Sequence, residues 1–348
     1  MFFEFPVNVM CFNRPQYLEK LLLSLLNQDL PLKEELLFFW VDGYIGSKDE
    51  SLGRVDSSEK IIELIYKYFP SSNVVPSTKN LGIARNYGRA EFHSFEVLKV
   101  QSAFFLEEDL ELSAKYFSSL HNLDLLVNLD SDISHISVSG DIPKICSEID
   151  STFQTFGHSW GYLLRSWHYF ERRQILNQYL ELSEGIPYFQ RDLIENKIYE
   201  FFYSRGILIA GTTQDAIKDG VRNYFGRIAI TTADILASNI GEVGEHAFES
   251  TIDHQKILTK NPRILPKKIL DLDKKRLLVD SWVKTANQTY INLIRNTSSQ
   301  NELLNLRLEA SNLRLEASNL KDSLSWRITF PLRLIKSNIL KILKFFKN

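Results

Sequence analysis

The chain has 348 residues, a formal net charge of -2, 44% hydrophobic and 12% aromatic residues. This excludes gross disorder and supplies apolar mass for a large core or two smaller ones, and the near-neutral balance gives no ground for a nucleic-acid partner. The two cysteines, Cys11 and Cys146, are far apart and lack CxxC spacing; they are too few for a disulfide framework or a cysteine-built metal site, which points to a reducing compartment.

The start, "MFFEFPVNVMCFNRP", has neither a basic leader nor a signal-length apolar stretch and reads as a strand, so the expectation is a cytoplasmic protein. From there short β-like runs alternate with longer helical patterns: "FPVNVMCF", "QYLEKLLLSLLNQ", "ELLFFWVDG", "SSEKIIELIYKYF", "NVVPS", "LGIARNYGRAEFHSFEVL" and "SAFFLEED". This rhythm predicts an α/β fold with a Rossmann-like parallel sheet, whose ligands collect at the carboxyl ends of the strands. Three polar tips then face one crevice: Asn13 and Arg14 after the first strand, Asp42 and Gly43 after the second, and Glu107, Glu108 and Asp109 after the strand that contains Phe104 to Leu106.

From about residue 130 the pattern loosens into mixed strands and helices, with "TFGHSWGYLLRSWHYF", a helical "IENKIYEFFYSR" and a Gly-, Thr- and Asn-punctuated run from Gly211 to His246. No linker composition separates it from the first half. One domain over residues 1–290 is expected, with halves at 1–130 and 131–290.

Beyond it, "NLRLEASNLRLEAS" (305–318) repeats one heptad, and Leu303, Leu306, Ala310, Leu313, Ala317, Leu320 and Leu324 follow the alternating three-and-four spacing of an a/d seam. A coiled coil over 297–325 and a homo-oligomer are expected, the other reading being an amphipathic helix packed on its own domain. The last segment, 326–348, carries six Lys/Arg and no acid, with Leu332, Ile335, Ile339, Ile342, Leu343 and Phe346 on one helical face. It reads as a membrane-surface helix giving peripheral contact at the inner membrane face, or as a helix that closes on the domain. No window is apolar enough to cross a bilayer.

The stretch "AFFLEEDLELS" (103–113) poses a physical problem, since three adjacent carboxylates raise the energy of an empty site. A hard divalent cation, Mn²⁺ or Mg²⁺, held by one or two carboxylates and by substrate phosphates, would relieve it. The other reading is a solvated acidic turn before a helix "SAKYFSSLHNL", with Ser113 as N-cap and Glu111 favouring the helix dipole.

These residues resemble the metal-dependent GT-A glycosyltransferases, and within them the N-acetylglucosaminyltransferase I type. "LEEDLELSAKYF" is similar to that family's Glu-Asp-Asp triplet, Leu-Glu and short helix. "VNVMCFNRPQYLEKLLLSL" is similar to its first strand and helix, "VDG" to its second-strand Asp, and "IARNYGRA" to its Ile-Ala-Arg-His-Tyr segment. "FGHSWGYLLRSW" resembles its acceptor-side Gly-Trp segment, "TTQDAIKDG" the segment with paired Asp residues, and "NIGEVGEH" a loop over the donor phosphates.

The resemblance spans roughly 5–250 and implies a GT-A fold with inverting transfer of a sugar from a UDP-sugar to a hydroxyl of a glycan, glycolipid or glycoprotein acceptor, UDP-GlcNAc being the implied donor. It makes Arg14 a nucleotide contact, Asp42 the uracil holder, Asn86 the base contact, Glu108 a ribose or donor-sugar contact, Asp109 the metal ligand, Asp215 the general base and His246 a phosphate or metal contact. Asp219, Asp234 and Glu245 are alternatives for the base. The sequence departs from the pattern at Glu108, Asn86, Gln214 and Ala216, which touches the sugar's identity more than the reaction. Two rival readings are a sugar-nucleotide pyrophosphorylase, which would need a Gly-rich loop that "CFNRPQYLEK" lacks, and an inactive scaffold that assembles through the coiled coil and basic tail.

Overall fold

The structure is a computed structural model that describes residues 2–139, 153–155, 161–232, 234–241 and 258. All of these fall within the compact unit Met1–Tyr290. The heptad repeat, the coiled coil expected at 297–325, the basic helix expected at 326–348, Cys146, Glu245 and His246 lie outside the described residues.

In chain order the elements that build the site region are β1 (Val7–Cys11), α1 (Pro15–Leu26), β2 (Leu37–Val41), α2 (Lys48–Ser51), α3 (Ser58–Tyr68), β3 (Asn73–Pro76), α4 (Ile83–Phe92), β4 (Ser102–Glu107), β5 (Leu110–Leu112) and α5 (Tyr116–Val127). They are followed by β6 (Ile133–Ser137), β7 (Phe153–Thr155), β8 (Tyr162–Arg165), α6 (Ser166–Leu182), α7 (Glu195–Tyr203), α8 (Gln214–Tyr224), β9 (Ile228–Thr232) and β10 (Ala237–Asn239).

β1 and β2 are buried at every position, and β4 at all but its last. Strands that are apolar on both faces need cover on both faces, and a parallel sheet with crossover helices provides it. The main sheet has the order β3-β2-β1-β4-β8-β6-β9-β7. β1 runs parallel to β2 and β4, and β2 parallel to β3; β8 then pairs antiparallel with both β4 and β6, so the sheet is mixed. The first four strands have the 3-2-1-4 order of a Rossmann-like half, which puts a topological switch point between β1 and β4.

One face of this sheet packs on α1, α3 and α5 through Leu18, Leu21, Leu22, Leu25, Ile61, Ile65 and Leu120. α1 starts with Pro15, whose fixed φ and missing N–H suit the first helical position, and its leucines fall at helical spacing. The other face packs on α4 through Tyr87 and Ala90, against Phe105 and Tyr162. A third apolar cluster joins α6, α7 and α8 through Leu176, Ile198, Phe202, Ile217 and Val221.

One expectation changes here. The stretch after the triplet does not pass into a helix capped by Ser113: Leu110 and Leu112 are buried and Glu111 exposed, the period-two pattern of a strand, and β5 pairs antiparallel with β10. The helix begins at Tyr116, after Lys115 at the N-cap position.

Candidate active site

The carboxyl ends of β1, β2 and β4 open on a cleft of about 910 Å³. Arg14, Asp42, Asn86, Glu107, Glu108, Asp109 and Asp215, far apart in sequence, all line it. Among the described alternatives for a base, Asp219 is bonded to Arg222 at 2.6 Å, and neither it nor the buried Asp234 lines the cleft.

The switch point is where the charges meet. Glu108 and Asp109 follow β4, both nine-tenths or more buried, and Arg14 follows β1. The Arg14 guanidinium donates from Nε to Glu108 Oε1 and from Nη1 to Asp109 Oδ2, each at 2.7 Å. Glu108 Oε2 accepts the Phe12 N–H at 2.8 Å. Both Glu108 oxygens are thus engaged within the protein, and Glu108 stitches β4 to the turn after β1. Burial pushes the Glu108 carboxyl above its ordinary value, against the pull of Arg14. Burial alone would lower Arg14, but Glu108 and Asp109 outweigh it and hold the guanidinium above its ordinary value.

Asp109 differs from Glu108 in one respect. Its Oδ2 is held by Arg14, while its Oδ1 is buried with no hydrogen-bond partner. A buried carboxylate oxygen without a donor is costly and is the lone pair a cation would take. Among the described residues no three His, Cys, Asp or Glu side chains are grouped to hold a metal. The open Oδ1 of Asp109 could give a single carboxylate contact to Mn²⁺ or Mg²⁺, with the other positions left to further oxygens.

Glu107, which the sequence reading treats mainly as the strand end, also lines the cleft and accepts the Tyr87 hydroxyl at 3.2 Å. Partial burial, Asp109 and Asp215 together push its carboxyl well above the usual range. The charge of Asp215 is thus felt at the triplet.

Asp215 lies in the first turn of α8, whose start is fixed by the Thr213 hydroxyl accepting the Ala216 N–H at 3.3 Å. The Gln214 amide donates to Asp215 Oδ1. Tyr188 stands beside this wall and touches the opposite one. A Cβ on Gly82 would lie 2.4 Å from Tyr188 Cβ, and Gly82 has a φ of +74°, so only glycine fits at the start of α4.

The residues expected on the nucleotide base build that opposite wall. Asp42 accepts the N–H groups of Gly43, Leu81 and Gly82 at 2.8 to 2.9 Å and the Asn80 amide at 3.2 Å. Asn86 donates to Trp40 O at 2.9 Å and accepts Arg89 Nε at 2.7 Å. Arg89 in turn ties the ends of β2 and β3 through Val41 O and Val75 O, both at 3.1 Å. Asp42 and Asn86 therefore fix the shape of the cleft with their polar groups already engaged.

Asn239, the last residue of β10, and Gly241 just after it are two further cleft residues; they open the segment "NIGEVGEH" noted in the sequence, where the contact singled out was His246. Ile240 N–H donates to Asp109 O at 2.8 Å, which fastens this strand end beside the triplet. The Asn-x-Gly spacing in "NIGEVGEH" was the available signal.

No family model and no curated protein matches the chain. Among solved structures it is similar to the crystal structure of S. aureus TarS 1-349 in complex with UDP, at 12% identity and a TM-score of 0.40 over 94% of each chain. It is also similar to S. aureus TarS 1-349 in complex with UDP-GlcNAc, at 14% identity and a TM-score of 0.39 over 65% of this chain and 71% of that one. A further structure of S. aureus TarS 1-349 gives 15% identity and a TM-score of 0.38 over 64% and 70%.

Proposed function

We propose that the chain is a metal-dependent glycosyltransferase that moves a sugar, GlcNAc in the first instance, from a UDP-sugar to a hydroxyl of a glycan or glycoconjugate, with inversion at the anomeric carbon. The observation that carries this reading is the Asp109 carboxylate: at a Rossmann-like switch point, one oxygen is fixed by Arg14 and the other is buried and open. A divalent cation bound there would neutralise the charge that develops on a leaving diphosphate.

The remaining roles belong to side chains of the chain itself. Arg14, locked by two carboxylates, sets the position of Asp109 and adds fixed positive charge at the floor of the cleft. Asp42 and Asn86 hold the wall against which a flat base would lie. Asp215, across the cleft on α8, is the carboxylate proposed to take the proton of the acceptor hydroxyl as it attacks. A base acting on the face opposite the leaving group yields the inverted product. Glu107, pushed toward its neutral form, limits the repulsion that a fully ionised triplet would impose on a phosphate.

The test is UDP binding and UDP release by the full chain with UDP-GlcNAc and other UDP-sugars in Mn²⁺. The expected result is Mn²⁺-dependent UDP binding that Asp109→Ala abolishes, and turnover that Asp215→Asn lowers by about 10²-fold or more while donor binding stays. Absence of metal-dependent nucleotide binding by the unmodified chain would overturn the reading and favour a scaffold that assembles through the segments beyond residue 290.

A further inference from the structure

We infer that Asn239 supplies a second protein oxygen to the cation held by Asp109, making the end of β10 part of the metal site. This rests on the reading of Asp109 above.

Three observations converge on it. Asp109 Oδ1 is buried and unpartnered in a residue only 6% exposed, so the site holds an open oxygen inside the protein. The strand end from Asn239 to Gly241 is fastened to the same residue, through Ile240 N–H to Asp109 O at 2.8 Å and the β10–β5 ladder that pairs Asn239 with Leu110. Finally, the Asp109 carboxylate and the Asn239 amide oxygen both crowd Gly241: the position a Cβ there would take lies 2.6 Å from Asp109 Oδ2, the oxygen held by Arg14, and 3.2 Å from Asn239 Oδ1. The lack of a side chain at 241 lets the amide oxygen and the Asp109 carboxylate approach the same stretch of backbone, within reach of one ion beside it.

The chemistry of the pair is that of a hard-cation site. Asn239 Oδ1 accepts the Gly241 N–H at 2.8 Å, which orients the amide so that its carbonyl keeps a second lone pair. A neutral oxygen adds a ligand without adding a further negative charge beside Glu108 and Asp109, and affinity for a hard cation is set by the charge and number of such oxygens. Any side chain at position 241 would displace the Asp109 carboxylate.

The experiment titrates Mn²⁺ alone into the full chain and follows free Mn²⁺ by its electron-spin resonance signal, with no nucleotide and no turnover. Asn239→Asp, which keeps the bond to Gly241 N–H, should tighten Mn²⁺ about tenfold, and Asn239→Leu should weaken it about tenfold. Gly241→Ala should weaken it at least as much as Asn239→Leu. If Asn239→Leu does not fold, Asn239→Asp decides alone. Unchanged Mn²⁺ affinity in Asn239→Asp, alongside a large loss in Asp109→Asn, would overturn this inference and leave the role of Asp109 standing. Unchanged affinity in Asp109→Asn would remove the cation from this site and overturn both.

Discussion

Two clusters of charge lie on either side of Tyr87, and they are built by opposite rules. In front, Glu107, Glu108 and Asp109 share the single guanidinium of Arg14, and the surplus is negative. Behind, Arg172 Nη2 and Lys218 Nζ both sit 2.9 Å from the same oxygen, Glu91 Oε1, and the surplus is positive. The front cluster opens on the cleft and keeps one oxygen free. The rear cluster is sealed, with Arg172 fully buried and the Lys218 ammonium 4.1 Å from the centre of the Tyr87 ring. A surplus facing ligand space is a binding device, whereas a sealed surplus must be carried by packing and ties elements together, here α4, α6 and α8. α8 belongs to both: the charge of Asp215 in its first turn is felt by Glu107 in front and by Lys218 behind.

If the rear cluster is structural, breaking it should cost the fold most. Burial alone would push the Glu91 carboxyl up, but Arg172 and Lys218 draw it below its ordinary value, so it is held as the anion. Glu91→Ala leaves two buried cations without their shared partner, and the expected loss is about 3–5 kcal/mol in urea unfolding followed by circular dichroism. A loss under about 1 kcal/mol would mean that the rear cluster is hydrated and open like the front one.

Acid should also separate the two clusters. Burial, with Arg172 and Arg222 nearby, lowers His168 to about 4 against an ordinary 6.5, although Glu171 pulls the other way. Between those values the unfolded chain binds a proton that the folded chain refuses, so stability present above pH 6.5 drains away as pH falls toward 4, by about 3 kcal/mol in all. His135 is lowered too, chiefly by burial, and adds in the same direction. Glu107 and Glu108, both raised, act with the opposite sign, since acid relieves the front cluster. The melting temperature of the unmodified chain should therefore fall from pH 6.5 to 4 more steeply than that of His168→Asn. Parallel profiles would sink the assignment.

The front cluster was the more legible of the two in the sequence, for a physical reason. β1, β2 and β4 are buried on both faces and so read as continuous apolar runs, and the polar residues that end them mark the carboxyl edge directly. That reasoning finds Arg14, Asp42 and the triplet, while Asp215, on α8, was reached only through the family resemblance; neither route says which of them face each other. The engagement of Glu108 by Phe12 N–H, of Asp42 by the turn at Leu81 and Gly82, and of Asn86 by Trp40 O comes from backbone groups that carry no side-chain signature. Asn239 comes to lie opposite Leu110, next to Asp109, only because β10 pairs with β5 across a long stretch of chain. The rear cluster was illegible because α6 buries His168 and Arg172 on the face where a periodicity argument looks for apolar residues. Ion-paired side chains bury without that signal.

The smallest effect on stability should come from the residue proposed to hold the cation. Asp109→Asn keeps the shape of the side chain and an oxygen for Arg14 Nη1, while it removes one of the two carboxylates bonded to that guanidinium. The lost attraction to Arg14 and the relieved repulsion with Glu107 and Glu108 oppose each other, so unfolding in urea should shift by less than about 1 kcal/mol in either direction. The same substitution should remove Mn²⁺-dependent UDP binding. Metal-free stability and metal binding thus come apart at Asp109, as they should where a carboxylate oxygen is left open for a ligand and not for the fold. A loss above about 2 kcal/mol in metal-free buffer would instead make Asp109 a structural partner of Arg14 in the manner of Glu91 behind, and the contrast between the two clusters would fall.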